Sequence, residues 1–182
     1  MHYRREQPGD RPAVRQLHLQ AFDEHGRAVA DLVEDLRARV SAGHGLSLLA
    51  ETDGTVVGHL VLTDALLDAP RRLVSVRVLS PLAVLPTVQR RGIGRALVAA
   101  ALQHDSTRAV PLVFLEGDPG YYARLGFQPG AQHGLRRPSL RIPEAAFQVF
   151  LLPAYEPWMT GTLVYPEVFW RHDAVGLRRP GT

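Results

Sequence analysis

Leu85-Pro86-Thr87-Val88-Gln89-Arg90-Arg91-Gly92-Ile93-Gly94-Arg95-Ala96-Leu97 is the stretch on which the reading of this chain turns. A hydrophobic segment stops at Leu85, and a turn punctuated by Gly92 and Gly94 opens directly into an amphipathic run. That run places Ile93, Ala96, Leu97, Ala100 and Ala101 on one side of a helix expected over 92–104. Glycine lets a ligand approach the backbone because no Cβ stands in the way. The first amides of a helix lack partners within it and carry a partial positive charge, which suits an anion. Arg90, Arg91 and Arg95 add charge that does not titrate in practice. A tight turn with solvated arginines would use the same residues, so the turn alone leaves both readings open. Two other nucleotide loops are excluded. Gly92-Ile93-Gly94 lacks the third glycine of a dinucleotide fingerprint, and the phosphate loop of nucleoside triphosphatases needs a lysine this chain does not contain.

The surrounding composition is that of one folded domain spanning 1–182. Of the 182 residues 46% are hydrophobic, enough to bury a core, which excludes a disordered or fibrous chain. All 21 basic residues are arginine, while lysine, asparagine and cysteine are absent and Ile93 and Ile142 are the only isoleucines. That pattern has a bland origin in a GC-rich genome. Without cysteine there are no disulfides, thiolate zinc sites or catalytic thiol. A net charge of +3 is too small to argue for nucleic acid as a partner. The start carries no apolar signal region, and nowhere do about 18 apolar residues run together, so no membrane partner and a cytoplasmic protein are expected. The eight histidines form no H-E-x-x-H pattern, so no metal site is expected.

Periodicity places a first strand over 2–7 and a helix over 11–22, with Asp10 as its N-cap and Pro12 in its first turn. Val14, Leu17, His18 and Ala21 make the apolar stripe of that helix. A second helix follows Gly26 on Val29, Leu32, Val33, Leu36 and Val40. Leu46, Leu48 and Ala50 then alternate as a strand, Asp53-Gly54 turns a hairpin, and Val56 to Leu62 is β-branched. A loop over 64–72 leads to a fourth strand over 73–85, interrupted by Pro81. Val110 to Leu115 reads as a buried strand and Tyr121 to Leu125 as one or two helical turns. A Gly- and Pro-rich loop over 126–143 precedes strands at Phe147–Leu152 and near Thr162–Tyr165. This order is an α/β (α+β) mix with too few alternations for a doubly wound sheet.

Three segments together resemble the GNAT N-acetyltransferase superfamily. Gln89-x-x-Gly92-x-Gly94 is similar to its acetyl-CoA signature, Q/R-x-x-G-x-G/A, and the strand before and helix after are where that motif belongs. Leu79-Ser80-Pro81-Leu82-Ala83-Val84-Leu85-Pro86 resembles the family's bulged, splayed fourth strand, and a proline there fits because its missing N–H cannot join a ladder. Leu115-Glu116-Gly117-Asp118-Pro119-Gly120-Tyr121-Tyr122-Ala123-Arg124-Leu125-Gly126-Phe127 resembles the Y-x-x-x-G-F segment after the fifth strand, in a form seen in a bacterial subgroup of predicted N-acetyltransferases. The resemblance implies a single domain with a mixed, mostly antiparallel sheet and flanking helices.

It further implies acetyl-CoA as co-substrate and a primary amine, more readily of a small molecule than of a protein, as acceptor. Leu82, Ala83 and Val84 would pair with the pantetheine arm. Gln89, Arg90, Arg91, Gly92, Ile93, Gly94 and Arg95 would hold the pyrophosphate, and Tyr122 would both touch the cofactor and protonate the leaving sulfur. A phenol suits that task because its proton is held near pKa 10; packing on a short helix is the alternative role. The fourth strand carries no acid over 76–85, so Glu116 is the best-placed general base, with His133, Glu24 or a water chain as alternatives. An N-terminal cap or ion pair is an equal reading for Glu116. The acceptor cleft would lie around Ala21–Arg27 and Pro153–Thr162, with Phe22, Asp23, Glu24, Tyr155, Glu156 and Trp158 available to an amine. The chain is compatible with a homodimer. The competing expectations are an acetyl-CoA-binding module with little or no turnover, and a basic nucleic-acid-binding protein.

Overall fold

The structure, a computed structural model, describes residues 1–176. The chain folds into two compact units, each built from two separate segments: Met1–Thr63 with Leu79–Thr107, and Asp64–Val78 with Arg108–Thr182.

In the first unit, strand β1 (His2–Arg5), helix α1 (Arg11–Ala21), helix α2 (Gly26–Ser41), strand β2 (Gly45–Thr52) and the start of strand β3 (Thr55–Asp68) follow one another. β1, β2 and β3 pair antiparallel in that order. Asp53 (φ 49°) and Gly54 (φ 73°) take the positive dihedrals of a two-residue hairpin, and Thr52 faces Thr55 across it. The expected helices appear where the apolar spacing puts them. Asp10, however, makes no side-chain cap on α1. Its carboxylate accepts from the Gln7 N–H at 2.7 Å, closing a preceding 3-10 turn, and from Arg4 at 2.7 and 2.8 Å. Val14 and Leu17 of α1 and Val33 of α2 pack with Leu49, Val56 and Ala83, and Ala21, Phe22 and Leu85 lie against that cluster.

Strand β4 (Leu73–Val84) crosses from the second unit into the first, and helix α3 (Ile93–Gln103) follows it, then a short helix α4 (Asp105–Arg108). α3 lies flat on β3 because position 58 is glycine. A Cβ there would stand 2.9 Å from Leu97 and 3.0 Å from Ile93.

The second unit holds strand β5 (Leu112–Glu116), a helical turn α5 (Pro119–Tyr122), strands β6 (Gln128–Pro129), β7 (Leu135–Arg136), β8 (Phe147–Leu151) and β9 (Gly161–Val164), and helix α6 (Glu167–Arg171). Its strand order is β7-β9-β3-β4-β5-β8-β6. The ladders β3–β9, β5–β8 and β6–β8 are antiparallel, and β4–β5 and β7–β9 are parallel. The mixed, mostly antiparallel sheet with flanking helices is therefore as expected. β4 pairs with β5 at Arg77↔Val113 and Val78↔Phe114, so Pro81 lies beyond those pairs, where its missing N–H costs no ladder bond.

Two differences from the periodicity have one cause. β3 runs on to Asp68 through the expected 64–72 loop, because Ala65 and Leu67 face inward while Leu66 and Asp68 face out. This tail pairs with β9, which spans Gly161–Val164 and not 162–165. The loop expected over 126–143 contains β6 and β7, each two residues long and too short to leave a period.

Candidate active site

The turn over 85–97 lies wholly in the first unit. β4 ends at Val84, the Leu85 N–H donates to the Val57 carbonyl at 3.0 Å, and a 3-10 turn over Pro86–Val88 reverses the chain. Gly92 has φ 84°, the left-handed conformation that only glycine adopts freely, and it begins α3. Arg90 also sits at φ 62°, a conformation that costs a non-glycine residue about 1–2 kcal/mol. No side chain caps α3, so its first amides keep their donors free of side-chain partners. Arg90, Arg91 and Arg95 are exposed, and among the described residues none is paired with an acid.

The other assigned cofactor residues divide into two kinds. Gln89, exposed, spends its side chain on the turn itself, its Nε2 donating to the Val84 carbonyl at 3.1 Å. Ile93 and Gly94 are buried in the helix face, and their contribution to an anion is backbone only. On β4, Leu82 and Val84 are half-buried while Ala83 is buried in the cluster with Phe22 and Leu85.

Tyr122 and Glu116 belong to the second unit. β5 delivers Glu116, and the chain then turns at Gly117, whose N–H donates to the Ala146 carbonyl at 3.0 Å. The Tyr122 ring lies directly on Gly117: a Cβ there would stand 2.3 Å from Tyr122 Cε2. The Asp118 carboxylate caps the next turn, accepting from the Gly120 N–H at 2.8 Å, and the Tyr122 ring meets Phe127 and Tyr121 edge-on. Burial, with a smaller contribution from Tyr121, pushes the Tyr122 phenol above its ordinary value of 10.0, so it keeps its proton across the working range. Among the described residues its hydroxyl has no hydrogen-bond partner.

Glu116 is half-buried, and its partial desolvation raises its carboxyl above the usual 4.5. Its two oxygens accept from the Tyr165 hydroxyl at 2.9 Å and the Gly176 N–H at 3.1 Å. It thus ties β9 and the segment after α6 to β5. Of the alternatives, His133 Nε2 lies 2.7 Å from Gln128 Oε1, and Glu24 is exposed beside His25 at 3.6 Å. The Trp158 ring already carries the Arg71 and Arg72 guanidiniums at 5.1 and 5.5 Å, and its N–H donates to Glu156 at 3.0 Å. Cations therefore occupy the aromatic face that the resemblance offered to an amine.

One polar constellation has no counterpart in the sequence motifs. His18, Ser47 and His59 are buried in the first unit and joined to Glu6 and Arg37. They come from five places along 54 residues, so no spacing announces them; the available signal is a histidine on each of two faces read as apolar, at 18 and 59.

These geometries coincide with a family match. The family described as an acetyltransferase (GNAT) domain matches residues 2–130, and the chain belongs to the GNAT acetyltransferases. It is 35% identical over 124 residues to the uncharacterized N-acetyltransferase YjhQ of Escherichia coli K12, covering 67% of this chain and 66% of that one. It is 32% identical over 167 residues to the uncharacterized N-acetyltransferase YhbS of the same strain, covering 90% and 95%. Among solved structures, YhbS from Escherichia coli in complex with CoA superposes with a TM-score of 0.79 at 34% identity, over 93% of this chain and 92% of that one. A GNAT family acetyltransferase from Brucella melitensis in complex with acetyl-CoA gives 0.72 at 30% identity, over 92% and 97%. No helix among the described residues is long and apolar enough to cross a membrane.

Proposed function

We propose that this chain transfers the acetyl group of acetyl-CoA to a primary amine of a small molecule. The observation that carries the reading is the turn at 85–95: a left-handed glycine, an uncapped helix start and three exposed arginines, unpaired among the described residues, fit a pyrophosphate. The relatives crystallised with CoA and acetyl-CoA support the same ligand. Bound acetyl-CoA supplies a thioester whose carbonyl accepts the amine and whose sulfur departs.

In this reading the free amides of α3 and Arg90, Arg91 and Arg95 hold the phosphates, and Leu82 and Val84 lie alongside the pantetheine arm. Tyr122 gives its proton to the departing sulfur. Its unpartnered hydroxyl and raised pKa favour a group that arrives protonated. Glu116 takes the part of general base. Desolvation raises its proton affinity toward that of an amine, and Tyr165 Oη aims its carboxylate. A cytoplasmic setting and a homodimer complete the proposal, the latter read by sedimentation at micromolar protein.

The test combines stability and turnover. Acetyl-CoA at about a hundredfold over Kd should stabilise the protein by about 2.7 kcal/mol. Thiol release across a panel of aliphatic amines, aryl-ethylamines and α-amino acids should then single out an acceptor. Stabilisation without thiol release on any amine would favour the binding-module reading, and no stabilisation would remove acetyl-CoA altogether.

A further inference from the structure

The buried polar groups of the first unit form one continuous line. Ser47 Oγ donates to Glu6 Oε2 at 2.6 Å. His59 Nε2 lies 2.8 Å from Ser47 Oγ and 3.4 Å from the same Glu6 oxygen. His59 Nδ1 lies 2.8 Å from His18 Nε2. His18 and His59 are both 0% exposed. At the far end, His18 Nδ1 is buried with no hydrogen-bond partner among the described residues, and the ring stacks on Phe22 at 5.8 Å.

The protons in this line can be ordered from its charged end. Arg37 Nε donates to Glu6 Oε1 at 2.7 Å and helps keep Glu6 an anion, so Glu6 only accepts. The one hydroxyl proton of Ser47 is therefore spent on Glu6. Ser47 Oγ must then accept from His59 Nε2–H, which rules out Ser47 as a nucleophile activated by His59. Burial keeps both rings neutral, with Arg37 from α2 adding to that effect and Glu6 and Asp10 opposing it at His59. A neutral His59 protonated on Nε2 has a bare Nδ1, which accepts from His18 Nε2–H. His18 is left with an unshared pair on Nδ1. Glu6 and Ser47 at the other end line a surface cleft of about 190 Å³ with Arg5, Arg11 and Arg37.

We infer that Glu6, Ser47, His59 and His18 form a proton path from the Phe22 side of α1 to the arginine-lined cleft. The inference rests on the acetyl-transfer reading for the source of the proton: an ammonium acceptor sheds one proton before attack and a second as the amide forms, and with Glu116 taking one, the path carries the other. Phe22, on which His18 stacks, packs against the same apolar cluster that contains Ala83 of the strand assigned to the cofactor. The step balances without any co-reactant. A proton arrives on His18 Nδ1, His18 Nε2–H passes to His59 Nδ1, His59 Nε2–H passes to Ser47 Oγ, and the Ser47 proton passes to Glu6. Both histidines end neutral in the opposite tautomer, Glu6 releases the proton into the cleft, and both rings must return to the Nε2–H tautomer before the path carries another proton. Glu6, hydrogen-bonded by Ser47 and Arg37 and lining the cleft, hands the proton on to water there.

The experiment uses the full chain with ¹⁵N-labelled histidine. The path predicts bare Nδ1 and protonated Nε2 on both rings. It also predicts that His18 Nε2–H, although buried, exchanges with water at least tenfold faster than the backbone amides of β3. Ser47→Ala should slow that exchange at least tenfold. With the amine giving the most thiol release, it should also lower kcat while leaving the KM for acetyl-CoA unchanged. Exchange as slow as the β3 amides, Nδ1–H tautomers, or an unchanged kcat in Ser47→Ala would each overturn the path. Ser47→Thr, which keeps the hydroxyl, should restore the exchange rate if Ser47→Ala is less stable. Acetyl-CoA titrated into the same wild-type sample reports separately on the acetyl-transfer reading: absent binding sinks that reading whatever the exchange shows.

Discussion

The turn at 85–95 and the buried line from Glu6 to His18 use arginine in opposite ways. Around Gly92 three guanidiniums stand in solvent with no acid paired to them among the described residues, and the helix start has no side-chain cap. In the buried line a single guanidinium, Arg37, has 9% of its side chain exposed and donates to an equally buried Glu6. The first arrangement keeps its charge available for a ligand. The second spends its charge on fixing the protonation of its neighbours. A free cation on the surface costs the fold little, whereas a buried one is tolerated only while its partner is present.

The largest effect falls outside both regions and sets their scale. Tyr122→Phe should lower kcat by roughly 10²–10⁴ without changing the acetyl-CoA-induced rise in melting temperature. Wild-type turnover would remove the phenol from acid catalysis. Next comes the comparison itself. Arg37→Leu strands a buried carboxylate and should cost about 3–5 kcal/mol in urea unfolding, while Arg90→Leu should stay within about 0.5 kcal/mol of wild type. Equal losses would erase the distinction between the two regions. Gly117→Ala pushes a methyl group into the Tyr122 ring and should cost about tenfold in kcat, of the order expected for a misplaced catalytic group, with little change in KM for acetyl-CoA.

The remaining effect is a slope, small per pH unit. His18 is held neutral in the fold, its pKa lowered from 6.5 to about 3 by burial, with His59 and Arg37 adding to it. The unfolded chain therefore binds a proton that the folded one refuses. Stability is full above pH 6.5 and falls by about 1.4 kcal/mol per pH unit for that proton as the pH drops toward 3. Glu6, lowered from 4.5 to about 2, adds loss in the same direction below pH 4.5. Replacing His18 with Phe should flatten the upper part of the slope between pH 6.5 and 4.5, read from urea midpoints.

What could be read from sequence follows the same division. The helices, the Asp53-Gly54 hairpin and the 85–97 turn are local, and each announces itself by period or by glycine spacing. The extension of β3 to Asp68 depended on pairing with β9, a partner nearly a hundred residues away in the chain. Tyr122 was legible from its motif, but its seat on Gly117 is a contact that only the folded turn creates. Glu116 is proposed from its position alone. Its ties to Tyr165 and Gly176 come from 49 and 60 residues further on. The histidine line was the least legible, since α1, β1, β2, β3 and α2 meet before its members touch.

The claim on which the rest depends is that the Gly92–Gly94 turn binds acetyl-CoA. Calorimetric titration of acetyl-CoA into the wild type, Gly94→Val and the triple Arg90→Gln, Arg91→Gln, Arg95→Gln variant tests it most directly. The account predicts saturable one-to-one binding by the wild type, weakened about a hundredfold (about 2.8 kcal/mol) or more in both variants, with their circular dichroism unchanged. Wild-type affinity in both folded variants would contradict it.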